Sequence, residues 1–79
     1  MEKQDVCTIN RHLAVLGLNE NSNWTKEANF VSWYNHEEKL DIREWSPDHS
    51  KCGRGVTLTI EEAKALKKVL NELLEAIGD

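Results

Sequence analysis

The chain has 79 residues, with 10 lysines and arginines against 14 aspartates and glutamates, and its net charge is −4 at pH 7. This length predicts one domain, which would bury only about 60% of its unfolded surface. A large enzyme with a deep pocket is excluded by size, and a protein that holds nucleic acid through an overall positive charge is excluded by the acidic balance.

The two cysteines, Cys7 and Cys52, are too few for a disulfide framework. The sequence also lacks a basic and then apolar leader, and it has no apolar run of about 18 residues. We therefore expect a soluble protein of the cytoplasm with reduced thiols.

The first half of the chain predicts one ambiguous segment and one clear strand. Residues 1–5 are polar, and we expect them to be disordered. Apolar residues over 6–18 fit both a helical spacing and a buried strand, and the periodicity alone leaves both open. The polar run 19–23 predicts a loop, and the aromatic and β-branched residues over 25–34 predict a strand. Residues 35–38 then predict a hairpin turn.

Residues 39–46 alternate in polarity and predict a strand with two different faces. Leu40 and Ile42 are expected to point to the core. The opposite, solvated face would carry an aromatic ring beside cations, namely Lys39, Arg43 and Trp45. Because such a face can stack bases and hold phosphates, it is a candidate nucleic-acid surface. We expect that loss of Arg43 leaves the core intact.

The end of the chain predicts a strand over 54–59 and a helix over 60–77. Thr59 and Glu62 form a capping-box pattern at the start of the helix, and Gly78 ends it. One side of this helix is broadly apolar, which predicts packing against the sheet and against a second copy of the chain. The residues of this apolar stripe are Leu66, Val69, Leu70, Leu73, Leu74 and Ile77.

The sequence predicts no metal site, no cofactor and no catalytic residue. His49 and Cys52 form one close pair, whereas a structural zinc site takes four ligands, usually from two such pairs. The same pair lacks a third group that would orient it for nucleophilic catalysis. Gly53-Arg54-Gly55 lacks the strand, turn and helix context of a nucleotide-binding loop. It predicts either a flexible basic hairpin tip or a close approach of phosphates to the backbone.

Several motifs in a fixed order resemble one known family. They are Trp24-Thr25-Lys26-Glu27, Phe30-Val31-Ser32-Trp33, DIREW at 41–45, SPDH at 46–49, Gly53-Arg54-Gly55 and VTLT at 56–59. Over residues 12–77 this order is similar to the positive-cofactor-four family of transcriptional coactivators, and closest to its small bacterial YdbC-like branch. The resemblance implies an α+β homodimer whose chains each form a curved, four-stranded antiparallel sheet followed by one C-terminal helix (ββββα). It also implies that the ambiguous first segment is a strand over about residues 8–18, and that the protein binds single-stranded DNA.

The residues and the resemblance together predict the binding surface. We expect phosphate contacts or base stacking from Lys26, Phe30, Tyr34, His36, Lys39, Arg43, Trp45, Lys51 and Arg54. Trp33 and Tyr34 are neighbours in a strand and must point to opposite faces. If Val31 shares the inward phase, Trp33 is core, and Tyr34 faces the ligand together with Phe30. The cations must converge on one face while nearby acids point elsewhere, namely Glu37, Glu38 and Glu44.

The predicted function is binding of single-stranded DNA with little sequence preference, by a homodimer associated with the nucleoid. RNA stays open as a second ligand. The process served would be transcription, or the handling of exposed single strands in replication and repair. The alternative is a protein–protein interaction module whose aromatic residues bind a partner chain. Salt separates the two, because phosphate binding weakens steeply as salt is added.

Overall fold

The computed structural model describes residues 7–78, so the disorder expected for residues 1–5 lies outside the described part of the chain. The described residues form four strands followed by one helix. These elements are β1 (Cys7–Asn19), β2 (Trp24–Trp33), β3 (Lys39–Trp45), β4 (Cys52–Leu58) and α1 (Ile60–Ala76). No helix within this part of the chain is long and apolar enough to cross a membrane.

The four strands form one antiparallel sheet in the order β1-β2-β3-β4, so each strand pairs with its neighbour in sequence. The α+β fold with one C-terminal helix is therefore confirmed. The ambiguous first segment is a strand. Short polar turns join the strands, which is the connection that antiparallel neighbours need.

Bulges in β1 explain why its apolar residues imitate a helical spacing. The pairing with β2 shifts register between Ile9 and Arg11, between His12 and Ala14, and between Val15 and Gly17. Each such irregularity changes the phase of the alternation and increases the local twist. Ile9, His12 and Val15 therefore line one cleft although they are spaced by three residues rather than two.

The register between β2 and β3 divides the sheet into two faces. Glu27 pairs with Arg43, and Asn29 pairs with Asp41, so odd-numbered residues of the two strands share one side. We call this side the polar face; it consists of Thr25, Glu27, Asn29, Val31, Trp33, Lys39, Asp41, Arg43 and Trp45. The other side is the apolar face, formed by Ala28, Phe30, Leu40, Ile42, Val56 and Leu58.

The predicted alternation of β3 is confirmed, but the predicted core side is wrong within a single chain. Asp41 and Trp45 on the polar face are 0% and 5% exposed, whereas Leu40 and Ile42 are only half-buried. The reason is that the two faces of the sheet are covered by different parts of the chain. The helix α1 contacts β3 and β4, and no residue of that helix is buried. The polar face is instead covered by its own large side chains and by the loop between β3 and β4.

The helix begins and ends where local signals predict. Thr59 Oγ1 accepts from Glu62 N at 3.1 Å, and Glu62 Oε1 accepts from Thr59 N at 2.9 Å, which completes the capping box. Gly78 follows the last turn with φ of +75°, a left-handed conformation that glycine adopts easily. The apolar stripe is exposed in the single chain: Val69 is 56% exposed and Ile77 is 63% exposed.

Candidate nucleic-acid interface

A tight turn fixes the end of β2. His36 N donates to Trp33 O at 2.9 Å, and the two residues between them have positive φ, 54° for Tyr34 and 64° for Asn35. This is the conformation of a type I′ turn, whose twist suits antiparallel strands. Tyr34 is 64% exposed, and it lies in the turn rather than at the end of the strand, where it was predicted.

Trp33, Asp41 and Arg43 form the most ordered contact on the polar face. The Arg43 side chain donates from Nε to Asp41 Oδ1 at 2.8 Å and from Nη2 to Asp41 Oδ2 at 2.9 Å. Its Nη1 donates to Gly53 O at 3.0 Å. The guanidinium carbon lies 4.6 Å from the centroid of the Trp33 ring, and Trp33 Nε1 donates to Asp41 Oδ2 at 3.3 Å. The indole is thus held by a cation over its ring and a carboxylate at its edge.

This arrangement makes Arg43 a fixed cation rather than a mobile one. Hydrogen bonds with Asp41 raise the pKa of Arg43 above its ordinary value and outweigh the effect of burial. The Asp41 carboxylate is fully buried and the Arg43 side chain is 13% exposed, so much of the positive charge is already matched within the sheet. Arg43 can support a stacked ring, but it offers less free charge to a phosphate than an exposed arginine does.

A cleft of about 390 Å³ opens beside this stack and is lined by Trp33, His36, Lys39, Arg43 and Thr57. The structure therefore brings together three of the predicted residues, His36, Lys39 and Arg43. It adds Trp33 and Thr57, which sequence reasoning did not select. Trp33 and Val31 do lie on the same side of the sheet, as the interpretation of Trp33 as a core residue required. That side is the polar face, however, which also carries Arg43. The pairing register of the β2–β3 hairpin is the signal that would have placed Trp33 on the face of Arg43.

Other predicted residues lie away from this cleft. Phe30 pairs with Leu40 on the apolar face, and the Arg11 guanidinium lies 4.9 Å from its ring centroid. Lys26 pairs with Glu44 on the same side as Phe30. The condition that all the predicted cations converge on one face is therefore not met by Lys26, because even-numbered residues of β2 point away from Arg43.

In the element Gly53-Arg54-Gly55, the second glycine is required for the packing of β4 against β3. A Cβ at Gly55 would lie 2.3 Å from both Arg43 Cβ and Ile42 O, so only glycine fits where β4 pairs with β3. A Cβ at Gly53 would meet no atom closer than 3.9 Å. Arg54 lines a shallow pocket with Lys26 and is exposed, and Lys51 is exposed in the β3–β4 loop.

A second polar cluster surrounds Glu27, which is 3% exposed. Its carboxylate accepts from Thr25 Oγ1 at 2.6 Å and from Asn29 Nδ2 at 3.2 Å, and His49 Nε2 lies 2.9 Å from Oε2. His12 Nδ1 lies 3.6 Å from Oε1. Burial acts to raise the pKa of Glu27, but these hydrogen bonds and the charge of His49 outweigh it, so the pKa lies below its ordinary value.

Trp45 is not the exposed platform that its strand phase predicts. It is 5% exposed, and its ring stacks on His49 with 5.6 Å between the centroids and 26° between the planes. His49 comes from the β3–β4 loop, so a loop contact covers a ring that alternation alone places toward solvent. Among residues 7–78, no group of three or more His, Cys, Asp or Glu side chains is placed to hold a metal ion.

Comparison with known proteins assigns the family. The family described as Transcriptional Coactivator p15 (PC4) matches residues 21–69, which is more than half of the 79-residue chain. The chain belongs to this family. An uncharacterized protein of Treponema pallidum (strain Nichols) is 45% identical over 65 residues, which cover 82% of this chain and 75% of that protein.

The PC4 match covers the parts of the molecule that build the polar face. Residues 21–69 include β2, β3, β4 and the first half of α1. The Trp33 cleft and the Glu27 carboxylate therefore lie within the matched region. The family's description as a transcriptional coactivator agrees with the family that the order of the sequence motifs resembles.

Proposed function

We propose that this PC4-family protein binds single-stranded DNA with little sequence preference, by stacking bases in the Trp33 cleft. The observation that carries the proposal is the indole of Trp33, which is oriented by Asp41 and Arg43 beside an open cleft. An aromatic ring stacks on any base and contributes about 1–3 kcal/mol per base. Lys39 is exposed at the same cleft and serves the phosphates.

Single strands fit this surface better than duplexes because the cleft offers a ring face, and bases in a duplex already stack on each other. The polar groups of the cleft are an imidazole, a hydroxyl and two cations. These groups favour stacking and backbone contacts over a fixed pattern of base edges, so the proposal extends to single-stranded RNA. The roles predicted for Lys26, Phe30, Tyr34, Trp45, Lys51 and Arg54 stay predictions.

The charges of the protein support modest binding that weakens as salt is added. The net charge is −4, and the charge of Arg43 is largely matched by Asp41. Each phosphate contact on a single strand contributes about −0.7 to the slope of log K against log salt. With Lys39 and a partly available Arg43, we expect a slope of about −1 to −2. A protein–protein module that binds its partner through aromatic side chains would make no phosphate contacts, so its affinity would not show this dependence on salt.

We further propose that the protein works as a homodimer joined through the apolar stripe of α1. The stripe residues are 37–63% exposed in the single chain, which is unusual for so many large aliphatic side chains on one helix. A domain of this size also gains stability from association. A twofold pair would place two Trp33 clefts in one particle, so one strand could bind to both.

The test is binding of a dye-labelled 20-nucleotide oligothymidine, followed by fluorescence anisotropy, against a blunt duplex of the same length. We expect clear preference for the single strand and a slope of log K against log salt of about −1 to −2. Equal or tighter duplex binding would overturn the proposal. Absence of oligothymidine binding at low salt would favour the protein–protein alternative, and binding that tolerates Trp33→Ala would overturn the stacking role of Trp33.

A matched pair of lysine variants tests which face binds. Lys39→Gln removes an exposed cation at the cleft, and Lys26→Gln removes an exposed cation from the opposite side. We expect Lys39→Gln to weaken binding about tenfold, the effect of one charge-assisted contact, and Lys26→Gln to have little effect. The reverse result would move the binding surface to the apolar face.

The place within the family and the process served are also proposals. The motif order noted above favours the bacterial YdbC-like branch, and a protein that binds any single strand suits transcription as well as replication and repair. Both statements rest on the proposed binding activity.

A further inference from the structure

His49 covers the ring of Trp45 and keeps other aromatic groups away from it. The two rings lie 5.6 Å apart at 26°, within the range of offset stacked pairs. Trp45 is 5% exposed, so no base can stack on it while this contact is in place. An imidazole is a flat aromatic ring, as a base is, and the two would compete for the same surface.

The cover is tied to the sheet by a hydrogen bond. His49 Nε2 lies 2.9 Å from Glu27 Oε2 on β2, although the two residues are 22 positions apart in sequence. Glu27 is itself held by Thr25 and Asn29, so it is a rigid anchor. The His49 side chain is 43% exposed and can exchange this contact for water.

The loop that carries His49 is folded as a unit. Asp48 Oδ1 accepts from Ser46 Oγ at 2.9 Å, from Ser50 N at 3.0 Å and from Ser50 Oγ at 2.8 Å. His49 N donates to Ser46 O at 2.9 Å, and His49 has φ of 61°, a conformation that is uncommon outside glycine but that asparagine, aspartate and histidine adopt more often than other residues. These bonds lie within the loop and do not depend on β2, so the loop can keep its shape when His49 leaves Trp45.

Trp45 has a polar group that the covered state leaves unused. Within residues 7–78 its Nε1 is buried with no hydrogen-bond partner. A buried donor without an acceptor is unfavourable. A strand that entered when the loop moved could supply an acceptor from a phosphate or a base, in addition to a ring for stacking.

We propose that the β3–β4 loop is a displaceable cover of a second stacking surface, in which His49 occupies Trp45 in the free protein and gives way to a base of the bound strand. This inference rests on the proposed function. The Trp33 cleft is open and binds first, and the Trp45 surface adds to binding only after His49 has moved. His49 therefore lowers the affinity of the free protein for single strands.

The first experiment measures the cover without nucleic acid. The full chain is labelled with 5-fluorotryptophan, and the Trp45 resonance is assigned by its loss in Trp45→Phe. The H₂O/D₂O shift of that ¹⁹F resonance reports exposure. We expect a small shift in the unsubstituted chain and the shift of an exposed ring in His49→Asn or His49→Gly, both of which suit a positive φ. His12→Asn removes the other imidazole near Glu27 and should change nothing. An unchanged shift in both His49 variants would overturn the cover.

The second experiment measures binding of the labelled oligothymidine. We expect His49→Asn to bind about fivefold tighter than the unsubstituted chain, because the ring no longer has to be displaced, and His12→Asn to bind equally. If a His49 variant exposes Trp45 but binds the oligothymidine no more tightly, the proposed competition between His49 and a base for the ring of Trp45 is overturned. Absence of binding by every chain, the unsubstituted one included, would overturn the proposed function instead, while the ¹⁹F shift would still decide whether His49 covers Trp45.

Discussion

Asp41 lies beneath the proposed binding surface with none of its side chain exposed. Its two oxygens accept from Arg43, and one of them also accepts from Trp33. A buried carboxylate is tolerated only when a cation and donors satisfy it. Arg43 therefore stabilises the domain as well as supporting the ring of Trp33, so a substitution there affects two properties at once.

We expect Arg43→Ala to destabilise the domain by about 3 kcal/mol, because the buried charge of Asp41 loses its partner. This differs from the sequence-based expectation that the core stays intact. Urea unfolding followed by circular dichroism measures the change. Adding Asp41→Asn to Arg43→Ala should recover a large part of the lost stability, since no buried charge then remains. A single variant as stable as the unsubstituted chain would contradict the role of the pair.

The lowered pKa of Glu27 predicts how the stability of the fold depends on pH in the acid range. Its pKa is lowered in the folded state from an ordinary value of 4.5, so the folded state holds the proton less well than the unfolded state. The contribution is therefore present above pH 4.5 and is lost as the pH falls through the folded pKa. Glu27→Gln should lose less stability than the unsubstituted chain over this acid range. Melting temperatures between pH 6 and 2.5 test this, with Glu20→Gln in the β1–β2 turn as the control.

The strands and the helix have different sources of stability. The helix has strong local signals and no buried residue, whereas β3 and β4 depend on close backbone approach. Bulges in β1 set the twist of the edge strand and bring His12 to the polar face. The position of the binding surface thus depends on the pairing of strands more than on the helix.

Gly55→Ala should disrupt the pairing of β3 with β4. The added Cβ would collide with the Ile42 carbonyl oxygen, which is backbone and cannot turn aside. Overpacking of this kind costs about 1–3 kcal/mol, and we expect the upper part of that range. Gly53→Ala is the matched control, because its Cβ meets only ordinary contacts. Hydrogen exchange of β4 amides should accelerate in Gly55→Ala alone; equal protection in both variants would contradict the packing argument.

At the scale of the whole molecule, the exposed apolar stripe of α1 is the feature that a single chain leaves unexplained. Val69, Leu73 and Ile77 are each at least half exposed. Their side of the helix is the contact that we propose between two copies, because burying it would remove apolar surface from water. The assembly and the binding surface lie on different elements and can be tested separately.

Leu73→Asp should convert the dimer to monomers, because a charge in an apolar contact costs several kcal/mol. Lys68→Asp is the control, since steps of about 100° per residue place position 68 on the opposite side of the helix. Sedimentation at micromolar concentration should give twice the 9.1 kDa chain mass for the unsubstituted protein and for Lys68→Asp. A monomer in the unsubstituted protein would refute the proposed assembly.

Local signals were sufficient for α1, β2 and β3, whereas the bulged strand β1 stayed ambiguous from its periodicity. The capping box of Thr59 and Glu62 and the glycine at position 78 predict the helix within a residue of each end. The alternation of β3 predicts its extent, and the aromatic and β-branched run predicts β2. These features depend on interactions between residues a few positions apart, which the sequence displays directly.

The face that each residue occupies was decided only by the tertiary structure. The register of β2 against β3 places Trp33 on the same face as Arg43, whereas Lys26 lies on the opposite face. The bulges in β1 give that strand a spacing of apolar residues like that of a helix. His49 covers Trp45 through a contact with Glu27, 22 positions away. A shift of one residue in pairing would exchange the two faces without changing any local pattern, so periodicity alone cannot select between them.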